Sequence, residues 1–177
     1  MPTNCVFYVS WSNIFKTRHQ GKPLKSIELS IQAKKIKGEF IITKDGVEGG
    51  IIYTLSSIIR ETINNNGYAE IKIDLKPDYS LKKIRRLLLR PKLKMTTTNY
   101  LRKTLNLSEV AIGMLMERKK KEQNYSQEII SLSYNIKNYK LMLEKHFSID
   151  QSISTADGIS FKSVNNTVML LNRPNTK

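Results

Sequence analysis

The segment Gly38-Glu39-Phe40-Ile41-Ile42-Thr43-Lys44-Asp45-Gly46-Val47-Glu48-Gly49-Gly50-Ile51-Ile52-Tyr53-Thr54-Leu55 changes its hydrophobic period part-way along. Glu39–Thr43 is short and β-branched, the composition of a strand, bounded by Gly38 and by Asp45-Gly46, a hairpin or turn signal. Beyond Gly49 the apolar residues Ile51, Ile52, Leu55, Ile58, Ile59 and Ile63 recur every three or four positions, which predicts an amphipathic helix from about Gly50 to Thr62. Asn64-Asn65-Asn66-Gly67 ends that helix, and Gly67, lacking a Cβ, suits a left-handed cap. The turn itself, Glu48-Gly49-Gly50, can expose backbone N–H groups at a helix start to an anion or a ligand oxygen. A tight strand-to-helix connection is the plainer reading of the same glycines.

Outward from this segment the same two periods alternate. Upstream, Phe7, Val9 and Trp11 alternate with Tyr8 and Ser10 in an apolar run from Val6 to Trp11, and Leu24–Ile31 alternates loosely after the turn residues Gly21 and Pro23. Downstream, Ile71, Ile73 and Leu75 oppose Lys72 and Asp74 in a strand from Ala69 to Leu75 that Pro77-Asp78 closes. Helices follow. Ser80 caps one with Leu81, Ile84, Leu87 and Leu88 inward, stopped by Pro91; Thr98 caps a second over Asn99–Leu105. Ser108 opens a third through Val110, Met114 and Leu115 to the run Arg118–Lys121. Ser126 caps a longer one with Ile129, Leu132, Ile136, Tyr139 and Leu143 on its inner face. After His146 the chain is rich in Ser, Asn and Gly, with short strand patterns at Gln151–Ser154, Ile159–Lys162 and Thr167–Leu171.

This order predicts an α+β fold, a small antiparallel β-barrel or sheet with an inserted helical subdomain. Residues 1–79 form the β-rich part with one helix, 80–147 the helical subdomain, and 148–177 strands that return to the β part.

Composition bounds the function classes. The 177 residues carry 30 Lys or Arg against 15 Asp or Glu, a formal +15, with 40% hydrophobic residues, enough to bury a core. A single cysteine, Cys5, excludes an internal disulfide framework and a multi-thiolate metal site. The apolar runs are too short to span a bilayer, and no charged side chain precedes Lys16, unlike a signal peptide. The expected setting is cytoplasmic, with no membrane association. Lys outnumbers Arg 22 to 8, and Ile, Lys and Asn together make 57 residues, a bias that AT-rich codons produce unaided. The basicity is therefore read first as compositional, with nucleic acid attracted only nonspecifically.

Catalytic candidates are few. His19 and His146 are isolated, and neither has a second ligand at helical or hairpin spacing; surface or structural roles suit them. Cys5 lies in an apolar run with nothing nearby to activate it, and Asp74 with Asp78 reads as a solvated strand end. No GxGxxG, Walker loop or GxSxG occurs. We assign no catalytic residue and no metal ligand. A second glycine turn, Thr155-Ala156-Asp157-Gly158, poses the same ligand-or-turn question as Glu48-Gly49-Gly50. Lys82, Lys83, Arg85, Arg86, Arg90, Lys92 and Lys94 form the best nucleic-acid candidate, with a solvated helix face as the alternative.

Taken together, these segments resemble the inserted domain of a bacterial flavoprotein family, the NAD(P)/FAD-dependent oxidoreductases of the aminoacetone oxidase-like, BaiN-like group. The resemblance begins at Cys5-Val6-Phe7, Trp11-Ser12, Phe15 and Pro23-Leu24-Lys25. It is strongest through Gly38–Thr43, Gly46–Gly50, Ile52-Tyr53 and Leu55-Ser56, and continues at Asp74–Asp78 with Ser80, at Leu101-Arg102-Lys103, and at Ile153-Ser154, Gly158-Ile159, Phe161 and Met169-Leu170. It implies a cap or substrate domain that covers a flavin, with Glu48, Gly49, Gly50, Thr155, Asp157 and Gly158 on the cofactor side. The family pattern usually has paired glycines where this sequence has Asp157-Gly158, and a carboxylate there disfavours an anionic reduced flavin. The resemblance also implies FAD, held in the family by glycine-rich segments on either side of the insert. This chain by itself is therefore expected to bind no cofactor and to be inactive, as the product of a split or decaying gene. Alternatively, it is one chain of a two-chain flavoenzyme completed by a separate FAD-binding chain, or a basic nucleic-acid-binding module.

Overall fold

The computed structural model describes residues 6–90, 95–117 and 125–145. In chain order the elements are β1 (Phe7–Tyr8), α1 (Asn13–His19), β2 (Pro23–Ile31), β3 (Lys34–Ile42), β4 (Gly46–Glu48), α2 (Gly50–Thr54), α3 (Ser56–Asn66) and β5 (Ala69–Asp74). They are followed by α4 (Leu81–Leu88), α5 (Thr97–Leu105), α6 (Glu109–Glu117), α7 (Tyr125–Lys137) and β6 (Tyr139–Leu143). The expected α+β class is borne out.

The strands form one sheet in the order β1-β4-β3-β2-β5-β6, antiparallel throughout. Its two edges meet. The Tyr8 N–H donates to the Lys145 carbonyl at 2.8 Å and the Glu144 N–H donates to the Tyr8 carbonyl at 3.2 Å, so the sheet curls until β1 reaches the residues just past β6. Curling joins edges that would otherwise be open to another chain. Alternation along the strands fills the interior with Phe7, Leu24, Leu29, Phe40, Ile42, Val47, Ile71, Ile73 and Leu143, all completely buried.

One strand breaks its own period. Leu24 pairs with Phe40 and Ile27 with Gly38, so three steps on β2 face two on β3, and Ser26 takes up the extra residue at φ 55°. The bulge returns both Leu24 and Ile27 to the interior, which is why the sequence alternates only loosely there. β3 also begins earlier than its apolar run suggests. Ile31 faces Lys34 across the two-residue connection Gln32-Ala33, and exposed lysines extend the hairpin beyond the buried part.

Four expectations are corrected. Asp45-Gly46 does turn the chain back as a hairpin, but the connection to the helix is not all turn: Gly46–Glu48 is β4, pairing with β1 on one side and β3 on the other. The run Val6–Trp11 yields only a two-residue strand, after which Ser12 caps α1, an unanticipated helix whose inward residues are Phe15 and His19. The helix expected from Gly50 to Thr62 is two, α2 and α3, divided at Leu55 (φ −98°, ψ 0°), whose buried side chain fills the bend; α3 runs to Asn66. Gly67 does cap it, at φ 81°. The helix expected to carry Tyr139 and Leu143 ends at Lys137, and those residues lie on β6. Tyr139, Leu141 and Leu143 satisfy a period of two as well as Tyr139 and Leu143 satisfy a period of four, and pairing with β5 decides between them. The strand patterns expected after His146 lie outside the described residues.

The helices α4 to α7 make one block against β5, β6 and β2. Ser80 caps α4 by accepting the Lys83 N–H, and Thr96 rather than Thr98 caps α5 by accepting the Asn99 N–H. Tyr100 on α5 directs its hydroxyl to carbonyls at the end of α4, those of Leu88 at 2.9 Å and Arg90 at 2.8 Å. At the foot of the block Lys137 pairs with Asp74 and also donates to the Tyr79 carbonyl at 2.8 Å; both charged side chains are less than one-fifth exposed. The Leu75 N–H donates to the Ile136 carbonyl beside them, so the end of β5 is tied to the end of α7.

Two substitutions test this account by chemical denaturation. Lys137→Met leaves the largely buried Asp74 without its cation and lowers stability by about 2 kcal/mol. At Gly46 an added Cβ would stand 1.9 Å from the Phe7 carbonyl oxygen, so Gly46→Ala forces β1 away from β4 and costs at least about 3 kcal/mol.

Candidate functional site

The glycine turn is built by three backbone constraints. Gly49 has φ 112° and ψ 178°, a conformation L-residues rarely adopt, and a Cβ there would approach the Phe40 Cα to 3.3 Å. Its carbonyl accepts the Tyr53 N–H at 2.9 Å, which starts α2. Gly50 is different: it is exposed, its φ is not left-handed, and nothing stands within 4 Å of its missing side chain. Gly49 is thus accounted for by packing, whereas the openness at Gly50 is the one part of this turn that packing does not require.

Two side chains flank the opening. Glu48 ends β4, pairing with Ile41. Tyr53, one turn into the helix, has its phenol pushed above the usual value by burial and then by the Glu48 carboxylate, against the pull of the Gly49 backbone N–H. The phenol therefore stays protonated at neutral pH and can donate a hydrogen bond, while Glu48 can accept one. Tyr53 falls within the stretch that resembles the family, but no charge, acid–base motif or spacing gives it a role there; only folding sets it beside Glu48.

This constellation does not fit the pyrophosphate of a dinucleotide. Glu48 places a negative charge at the start of a helix of five residues, and no cation of the described residues is paired with it. A neutral partner with hydroxyl, carbonyl or ring N–H groups matches it better. Of the other residues assigned to the cofactor side, Thr155, Asp157 and Gly158 lie outside the described residues.

The basic candidate is divided. Lys82, Lys83, Arg85 and Arg86 project outward from α4 and Arg90 follows it, all exposed; Lys92 and Lys94 lie outside the described residues. Lys83 places its ammonium 3.6 Å from the centre of the Tyr79 ring, and Arg85 donates to Ser133 Oγ on α7 at 3.3 Å. Two of the four α4 cations therefore hold structure as well as facing water. Asp74 is engaged by Lys137, which leaves no carboxylate pair with Asp78. Cys5 and His146 lie outside the described residues.

His19 is buried, not superficial. Its ring stacks on Phe15 at 4.6 Å, Phe15 stacks on Trp11 at 4.6 Å, and the other side rests on Gly113 of α6, where a Cβ would stand 2.4 Å from Nε2. Among the described residues, His19 Nδ1 has no hydrogen-bond partner. Polar contacts fasten the same helix contact at its two ends: Glu117 accepts hydrogen bonds from the Ser12 hydroxyl and N–H, and Lys22 forms an ion pair with Glu109 at 3.1 Å. Among the described residues no group of three or more His, Cys, Asp or Glu could hold a metal ion, and no helix is long and apolar enough to cross a membrane.

The model of the HI0933-like protein barrel and H2TH domain matches residues 1–154. The chain belongs to that family. No curated protein matches it. The curled six-stranded sheet is the barrel of that description, and the flavoprotein resemblance read from the sequence, with its α+β barrel fold, is borne out.

Burial makes the HI0933-like domain pH-sensitive at His19. Desolvation lowers its pKa below 6.5, with Glu109 and Glu117 opposing and Lys22 and Arg18 reinforcing. The unfolded chain then binds the proton more readily, so stability from neutral His19 is complete above pH 6.5 and is lost as pH falls below it. Glu109, held down by Lys22, adds its own loss only below pH 4.5. Melting curves should show a falling midpoint from pH 6.5 downward, and His19→Gln should flatten that slope although it lowers the midpoint itself.

Proposed function

We propose that this HI0933-like domain is the inserted cap, or substrate-side, domain of an FAD-dependent oxidoreductase-like flavoprotein, and that alone it neither holds FAD nor catalyses. The family match over residues 1–154 carries the reading. Two further features support it. The sequence has no GxGxxG fingerprint, whose backbone amides and helix start bind the pyrophosphate. The turn at Glu48–Gly50 is unsuited to that anion.

In this reading the chain's own residues shape and select. Gly50 leaves room for a flat or bulky group to approach the backbone, the Tyr53 phenol donates to it, and Glu48 accepts from it. The barrel holds these groups rigidly because Gly49 is pressed against β3. Flavin chemistry is supplied by the counterpart that binds FAD, either a separate chain or the remainder of a longer protein.

An absorption spectrum of the purified protein, with and without added FAD, tests the proposal. The expected result is a plain protein spectrum and no retention of FAD through gel filtration. A retained visible flavin band would overturn it. Excess absorption near the nucleic-acid maximum that high salt removes would favour the basic-module alternative instead.

A further inference from the structure

Thirty residues, Tyr79 to Ser108, contain nine Lys or Arg and no Asp or Glu. Four of the chain's eight arginines fall there, Arg85, Arg86, Arg90 and Arg102, so a codon bias that enriches lysine is an incomplete account of this stretch. α4 sorts its residues sharply: Ile84 and Leu88 are buried in the helical block, while Lys82, Lys83, Arg85 and Arg86 face outward. An open groove of about 860 Å³ runs along that outer face, with Leu81 and Leu89 among the four cations that line it. Leu89 is 66% exposed. An exposed leucine keeps apolar surface in water that a partner could cover. On α7, which packs beside α4, Ile130 and Tyr134 are also about half exposed.

The chemistry distinguishes possible occupants. A phosphate backbone would use the cations but leave the leucines uncovered, and no aromatic is among the described residues that line the groove for a base to stack on. A second copy of a chain with a formal +15 would be repelled. A protein segment with carboxylates along one side and an apolar stripe along the other complements both features. We propose that the outer face of α4 docks an acidic amphipathic segment of a partner protein. Lys82 and Arg86 receive its carboxylates, and Leu81 with Leu89 receives its apolar stripe. Lys83 and Arg85 are already held by Tyr79 and Ser133, so little side-chain freedom is lost when they contribute. This inference does not depend on the flavoprotein reading.

The test is fluorescence anisotropy at physiological ionic strength with three labelled probes. The first is a short synthetic peptide of Glu, Leu, Ala and Gln with Leu and Glu on adjoining helical faces. The second is a shuffled peptide of the same composition, and the third a short DNA duplex. The amphipathic peptide should bind about tenfold more tightly than the shuffled one, and Leu89→Ser and Arg86→Glu should each weaken it about tenfold. Lys72→Glu, at an exposed position on β5, should leave it unchanged. Equal binding of both peptides, or none, overturns the proposal. So does tighter binding of the duplex that is lost in Arg86→Glu but kept in Leu89→Ser, the signature of a nucleic-acid surface.

Discussion

The close approach of two backbones at Gly46 is the constraint on which the rest of this structure depends. Gly46 lies under Tyr8 with no room for a side chain, and its carbonyl accepts the Trp11 indole N–H at 3.1 Å. The first contact seats β1 on the sheet, so that Tyr8 can reach Glu144 and Lys145 and join the edges. The second orients Trp11 at the head of the stack that continues through Phe15 to His19. That stack rests on α6, and α6 belongs to the helical block. One glycine therefore links closure of the sheet to placement of the helices.

The glycines of the segment from β4 into α2 do different physical work although they look alike. Gly46 and Gly49 are demanded by neighbouring backbone, one at Phe7 and the other at Phe40. Gly50 meets nothing, and beside it stand a phenol that remains protonated and a carboxylate. Under the proposed function, such a neutral-to-acidic surface suits a domain that shapes access to a cofactor held elsewhere. It is a poor pyrophosphate cradle, since a carboxylate repels the anion that helix-terminal N–H groups would attract.

The polar contacts between the sheet and the helices follow the same economy of roles. Lys137 satisfies Asp74 and the Tyr79 carbonyl, and the carboxylate it neutralises also accepts the Lys76 N–H at 2.9 Å. A cluster that sequence offers as a carboxylate pair is consumed in tying α7 to β5. The α4 cations are only partly consumed in this manner, which is why that face, unlike the Asp74 cluster, keeps charge and apolar surface directed at solvent.

Local sequence determined the elements whose patterns admit a single period. β5, with Ile71 and Ile73 strictly alternating, and α4, with its Ser80 cap and buried Ile84 and Leu88, were legible from residue order, as was the αL cap at Gly67. The motif around Gly38–Leu55 was long enough to indicate the family. Tertiary structure decided the rest. Tyr139–Leu143 fits helix and strand equally, and only the exposed edge of β5 made it a strand. Gly46-Val47-Glu48 reads as a turn until β1 and β3 supply hydrogen-bond partners on both sides. The two-residue β1 and seven-residue α1 are too short to have a readable period, and the latter is held by contacts with α6 some ninety residues away. The candidate site shows the same division: Glu48, Gly49 and Gly50 are adjacent in the chain and could be named from it. The phenol of Tyr53 and the exposed leucine among the α4 cations acquire meaning only from burial and exposure, which are properties of the whole fold.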